Sequence, residues 1–206
     1  MYCLKKYCFV ISVLLSCVFL LGWADSWESI QKESAKIKSV KAQFTQSKHM
    51  KILARPLVSK GRFYFQAPDS VRWEYVSPVK SILLMNRDGI RRYTQGSGGL
   101  TEDKSGSLQA MQVVLKEIGQ WSKGEFTTNE HFTAVLKKGS EPTIIMTPRE
   151  KGLAAMISRI VITLSSDRPG ILKSVKIYEN EGNYTLFEFS DVQINGKIAE
   201  SLFRDA

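Results

Sequence analysis

Between residues 62 and 75 the chain reads RFYFQAPDSVRWEY, and apolar and polar side chains alternate on both sides of a Pro-Asp-Ser turn. A period of two sends successive side chains to opposite faces of an extended strand. Phe63 and Phe65 therefore share one face while Arg62, Tyr64 and Gln66 share the other. Beyond the turn Val71, Trp73 and Tyr75 oppose Arg72 and Glu74. Apolar meets apolar when Phe65 faces Val71, Phe63 faces Trp73 and Arg62 faces Glu74, with Gln66 to Ser70 as the loop. A slip of one residue would set Phe63 against Glu74, so burial of one face fixes the register. The opposite face, carrying Arg62, Arg72 and Glu74, is expected to be wet, with Arg72 paired to Glu74.

The same period recurs. Val40, Ala42 and Phe44 alternate with Lys41, Gln43 and Thr45, and further strands are expected at 81–85, 89–94, 131–137, 143–147, 158–164, 172–178 and 184–194. Turn signals at Asn86 to Gly89, Asp167-Arg168-Pro169-Gly170 and Asn180-Glu181-Gly182-Asn183 separate them. Short strands joined by tight turns, without helix–strand alternation, argue for a mainly antiparallel sheet. Two stretches carry a helical period instead. Trp27, Ile30, Ser34 and Ile37 form one stripe over residues 26–37. After the flexible GSGG at 96–99, Leu108, Met111, Leu115 and Ile118 form another over 107–120, widened by Val114. Two helices are little cover for the apolar face of seven or more strands. The sheet is therefore expected to curl into an incomplete barrel, filled by helices or by a ligand, and periodicity leaves both fillings open.

Residues 1–24 read as a signal peptide: Lys5 and Lys6, an apolar run from Phe9 to Leu21, then Gly22-Trp23-Ala24. The run is shorter than the roughly 20 residues of a spanning helix, so cleavage after Ala24 is favoured over an uncleaved anchor or lipidation at Cys17. All three cysteines (Cys3, Cys8, Cys17) lie in this leader. Residues 25–206, expected to form one domain and a monomer, can then hold neither a disulfide nor a thiolate metal site. Loss of Lys5 and Lys6 lowers the formal charge of +9 by two, and the remaining excess favours anionic partners such as lipid head groups or acidic proteins. Nucleic acid fits poorly, because the charges are scattered and form no basic block.

Catalytic groupings are missing. The chain has two histidines, His49 and His131, and no HExxH, GxSxG, Walker loop or GxGxxG. Glu102-Asp103 sits in a polar loop context, and Asn183-Tyr184-Thr185 reads as a turn before a strand, not as a glycosylation site. No catalytic residue, metal ligand or cofactor is expected, and an enzyme is not.

Several segments, taken in order, resemble the periplasmic outer-membrane lipoprotein carrier family. These are Phe44-Thr45-Gln46, Gly61 to Pro68, Arg72 to Tyr75, Met146-Thr147-Pro148 and Ser201-Leu202-Phe203. The resemblance implies an unclosed, strongly curved antiparallel half-barrel with an α-helical lid over a hydrophobic cavity. It also implies cargo: acyl chains of a lipoprotein or related lipid, received from an inner-membrane transporter and passed to an outer-membrane receptor in the periplasm. On that basis Phe63, Phe65, Val71, Trp73 and Leu84 are expected on the cavity wall, and Leu108, Met111, Leu115 and Ile118 on the lid. Where the family has an arginine before the turn proline that bonds the closed lid, this chain has Ala67, so its lid must be latched otherwise. The second reading is a lipid-sensing or regulatory domain of similar fold that transfers nothing.

Overall fold

The computed structural model describes residues 27–103, 117–121, 123–127, 130–168, 170–179 and 182–206. The expected signal peptide and the expected lid residues Leu108, Met111 and Leu115 lie outside them.

Helix α1 (Trp27–Ser34) is followed by six strands: β1 (Ser39–His49), β2 (Leu57–Gln66), β3 (Ser70–Ser77), β4 (Ser81–Asn86), β5 (Gly89–Gly96) and β6 (Gly99–Glu102). Five more come after the intervening segment: β7 (Phe132–Lys137), β8 (Thr143–Pro148), β9 (Arg159–Leu164), β10 (Leu172–Tyr178) and β11 (Tyr184–Ile194). A short helix, Lys151–Ala154, precedes β9, and a 3-10 helix, Glu200–Phe203, lies near the C-terminus. The eleven strands form one sheet in the order β6-β5-β4-β3-β2-β1-β11-β10-β9-β8-β7, and the strand pairs are antiparallel. Both end strands, β6 and β7, remain edges, so the sheet is unclosed.

The register of the β2–β3 hairpin follows the face-matching argument: Phe65 opposes Val71, Phe63 opposes Trp73 and Arg62 opposes Glu74. Gln66 also pairs with Ser70, which shortens the loop to Ala67-Pro68-Asp69. The glycines read as a flexible stretch form a hairpin instead, because Gly96 pairs with Gly99 and leads into β6.

Ring distances show the curvature. Trp73 on β3 and Phe187 on β11 are separated by β2 and β1, so on a flat sheet their backbones would stand about 14 Å apart. Their ring centroids are 5.2 Å apart, and those of Phe63 and Phe189, on β2 and β11, are 6.0 Å apart. The sheet curls inward around these side chains.

The convex face near β3 and β4 departs from the wet surface expected. Arg72 and Glu74 are buried there, with Arg72 Nε 3.2 Å from Glu74 Oε2. Arg72 Nη1 also donates to the carbonyls of Leu202, at 3.0 Å, and Asp205, at 2.6 Å. Asn86 Nδ2 donates to Phe203 O at 3.0 Å, and Arg91 Nη2 to Arg204 O at 3.2 Å. Phe203 is buried. The C-terminal segment thus lies over the charged face of the hairpin, and the ion pair is satisfied by backbone carbonyls in place of water.

Candidate functional site: the concave apolar face

The alternation that makes the strands also makes the inner wall. Phe44, Phe63, Phe65, Val71, Trp73, Leu83, Ile160, Ile162, Val175 and Phe187 turn to the concave side and belong to one continuous core. Phe44 is central: its ring lies 4.5 Å from that of Trp73 and packs edge-on to Tyr75 at 5.3 Å and Phe187 at 6.2 Å. Gly61, directly opposite Phe44, makes this possible. A Cβ there would sit 2.3 Å from the Phe44 ring and 2.2 Å from the Glu74 carbonyl oxygen.

Polar atoms are few on this wall. The Tyr75 hydroxyl donates to Gln46 Oε1 at 2.5 Å. Burial pushes its pKa up to about 12, against the opposing pull of the Trp73 indole and the Arg92 charge. The Trp73 indole N–H is close enough to act on that hydroxyl but lacks the geometry of a hydrogen bond, and the Trp121 indole N–H has no partner among the described residues. Both are buried.

Cover comes from two places. Ile30 and Ile37 reach in from α1 and its exit, and Ile118, Trp121 and Phe126 reach in from the segment between β6 and β7. The two covers meet at Ser34, which is fully buried. The α-carbons of Gly124 and Gly170 approach it so closely that a Cβ on either would come within 2.8 Å of a Ser34 side-chain atom. The Trp27 ring packs tilted against that of Phe126, with centroids 6.1 Å apart, and Gln31 Nε2 donates to Thr127 Oγ1 at 3.3 Å. Among the described residues an apolar cleft of about 20 Å³ lies between Ile37, Val40, Phe63, Ile171, Phe189 and Val192. That is room for about one water molecule.

Of the wall residues expected from sequence, Phe63, Phe65, Val71 and Trp73 lie on this face. Leu84 does not: it pairs with Arg72 across β3–β4, so it shares the convex face, buried near the C-terminal 3-10 helix. Leu83, opposite Trp73, takes its place. Of the lid residues Ile118 is described and is buried against the concave core. Helical residues 117–121 also carry Trp121, which the stripe reading missed because it lies beyond the segment taken as the helix. Ala67 packs at the edge of the core, its amide donating to Lys38 O at 2.8 Å. Among the described residues no group of three or more His, Cys, Asp or Glu side chains is placed to hold a metal ion. No described helix is long and apolar enough to cross a membrane.

Residues 35–205 match the family model described as outer membrane lipoprotein carrier protein LolA. An outer-membrane lipoprotein carrier protein of Pseudoalteromonas translucida is 27% identical over 205 residues, covering 97% of this chain and 92% of that protein. Its counterpart in Nitrosospira multiformis is 22% identical, covering 85% and 82%. Among solved structures, the LolA superfamily protein NE2245 from Nitrosomonas europaea aligns over 87% of this chain and 98% of its own at 8% identity, with a TM-score of 0.42. The chain belongs to the outer membrane lipoprotein carrier (LolA) family.

Proposed function

We propose that this protein is a periplasmic, non-enzymatic carrier that holds the acyl chains of a lipoprotein, or of a related acylated lipid, against the concave face and moves them from the inner to the outer membrane. The observation that carries this reading is a curled, almost wholly apolar wall whose cover is made by elements outside the sheet. An acyl chain gains on the order of 0.8 kcal/mol for each buried CH₂, so such a wall shields chains without specific polar contacts. Two buried indole donors, on Trp73 and Trp121, have no hydrogen-bond acceptor among the described residues. Unmet donors are costly, and the ester and amide carbonyls of an acylated cargo offset that cost. The apolar cleft among the described residues, about 20 Å³, is too small for an acyl chain, so on this reading loading moves α1 and the residues Ile118, Trp121 and Phe126 off the wall. The lid expected from Leu108, Met111 and Leu115 lies outside the described residues; on this reading an aspartate at Leu115 is expected to lower uptake of a fluorescent fatty acid without unfolding the protein.

Incubating the protein with lipoprotein-loaded inner membranes tests the reading. The expected result is a protein–lipoprotein complex free of the membrane that then donates its cargo to outer membranes. Binding without donation identifies a lipid sensor of the same fold, and failure to extract any acylated species overturns both readings.

A further inference from the structure

The antiparallel order sends alternate hairpin ends to the same rim of the half-barrel. The loop from β1 to β2, the turns β3–β4 and β5–β6, the β8–β9 connection and the β10–β11 turn all lie on one rim. Nine large apolar side chains of the described residues are exposed, and seven of them gather on this rim. Ile52, Leu53, Leu57 and Val58 come from the β1–β2 loop and the start of β2, Val76 and Val79 from the β3–β4 turn, and Met156 from the β8–β9 connection. Ile52, at the tip, is 85% exposed. The other two, Val135 and Ile194, lie away from it.

Basic side chains stand among them. Lys51, Arg55, Lys60, Lys80 and Lys151 are exposed on the same rim. The acids among its described residues are Glu130, Glu150 and Glu179. Glu150 is held by His131 at 3.0 Å and Glu179 by Lys48 at 3.4 Å. The opposite rim carries Asp69, Asp88, Glu141, Asp167, Glu200 and Asp205 beside the exposed Arg87, Lys138, Arg168 and Lys197, and of the exposed large apolar side chains of the described residues it holds Ile194 alone.

We propose that this rim docks on an anionic lipid bilayer, its Ile52-Leu53 tip entering the head-group layer and its lysines and arginines facing lipid phosphates. Separate apolar tips carried by hairpin ends and ringed by cations suit a soft interface that each tip enters independently. The placement goes beyond cargo binding: it sets which end of the half-barrel meets the membrane, and it holds whatever lipid the concave face accepts.

Vesicle binding tests it with the whole protein from Asp25 onward. Sedimentation with vesicles of equal parts phosphatidylglycerol and phosphatidylcholine is expected to pull down the protein at least tenfold more strongly than phosphatidylcholine alone, and about 0.5 M salt is expected to release it. Ile52→Asp with Leu53→Asp loses binding at least tenfold, whereas Val135→Asp, also exposed but off the rim, leaves it unchanged. An environment-sensitive dye on Ile52→Cys shifts to the blue with anionic vesicles. Fatty-acid uptake stays the same in these variants, which separates failure of docking from failure of the carrier reading. Equal binding to both vesicle types, or equal loss from the Val135 variant, overturns the proposal. So does binding to native inner-membrane vesicles that protease treatment abolishes, since the rim would then recognise a protein.

Discussion

Gly61 decides where Phe44 lies, and through Phe44 how the concave aromatics meet. An added Cβ overlaps both a ring that is itself wedged among Trp73, Tyr75 and Phe187 and a strand carbonyl that cannot move without breaking the β2–β3 ladder. Gly61→Ala is therefore expected to cost about 2–3 kcal/mol by overpacking; a wild-type urea midpoint would contradict this. Tyr75 gives a pH signature. Its phenol loses a proton near 10 in the unfolded chain but near 12 in the folded one, because burial penalises the anion. The stability it confers is whole below pH 10 and fades as pH rises from about 10 to about 12, a loss of about 2–3 kcal/mol across the window. Urea titrations over that range should show this slope in the wild type and a flatter one in Tyr75→Phe.

At the scale of elements, the C-terminal 3-10 helix turns a charged strand face into a second small core. Glu74 is buried beside Arg72, and Arg72 in turn bonds two carbonyls of the C-terminal segment. Removing the cation alone strands a carboxylate away from water, so Arg72→Met is expected to cost about 3–5 kcal/mol, and adding Glu74→Leu should restore most of it. Additive losses in that double-mutant cycle would show the pair to be independent. The contrast between what the sequence revealed and what it hid is physical. The β2–β3 register was legible because strict alternation makes a one-residue slip costly. Leu84 was misplaced because Ile82-Leu83-Leu84-Met85 is apolar throughout: such a run has no parity of its own, and only its pairing with β3 assigns faces. The cover over Arg72 was hidden for a related reason, since a polar face reads as wet unless the segment lying on it announces itself, and residues 195–206 carry no period. Strand β6 is four residues long and begins at a glycine, too little pattern to see.

At the scale of the whole molecule, strand order dictates where a lid must be. The chain builds outward from β1 to the β6 edge and resumes at the opposite edge with β7, so the segment between them has to cross from one edge of the half-barrel to the other. Where that segment is described, it crosses on the concave side, with Ile118, Trp121 and Phe126 in the core. Strand hydrogen bonds hold the wall, whereas the described cover residues Ile118, Trp121 and Phe126 belong to no strand and pack on it through their side chains. If cargo enters by lifting that cover, tying it to α1 must block entry while leaving the sheet intact. Gln31 and Thr127 touch across this seam, and protein expressed from Asp25 has no cysteine of its own. Gln31→Cys with Thr127→Cys, joined by a short reducible bis-maleimide, is expected to take up fluorescent fatty acid at least tenfold less than the unlinked double variant. Reduction of the linker should restore uptake. Uptake undiminished in fully cross-linked protein would place the entry elsewhere on the half-barrel and leave α1 and the crossing segment as fixed parts of the wall.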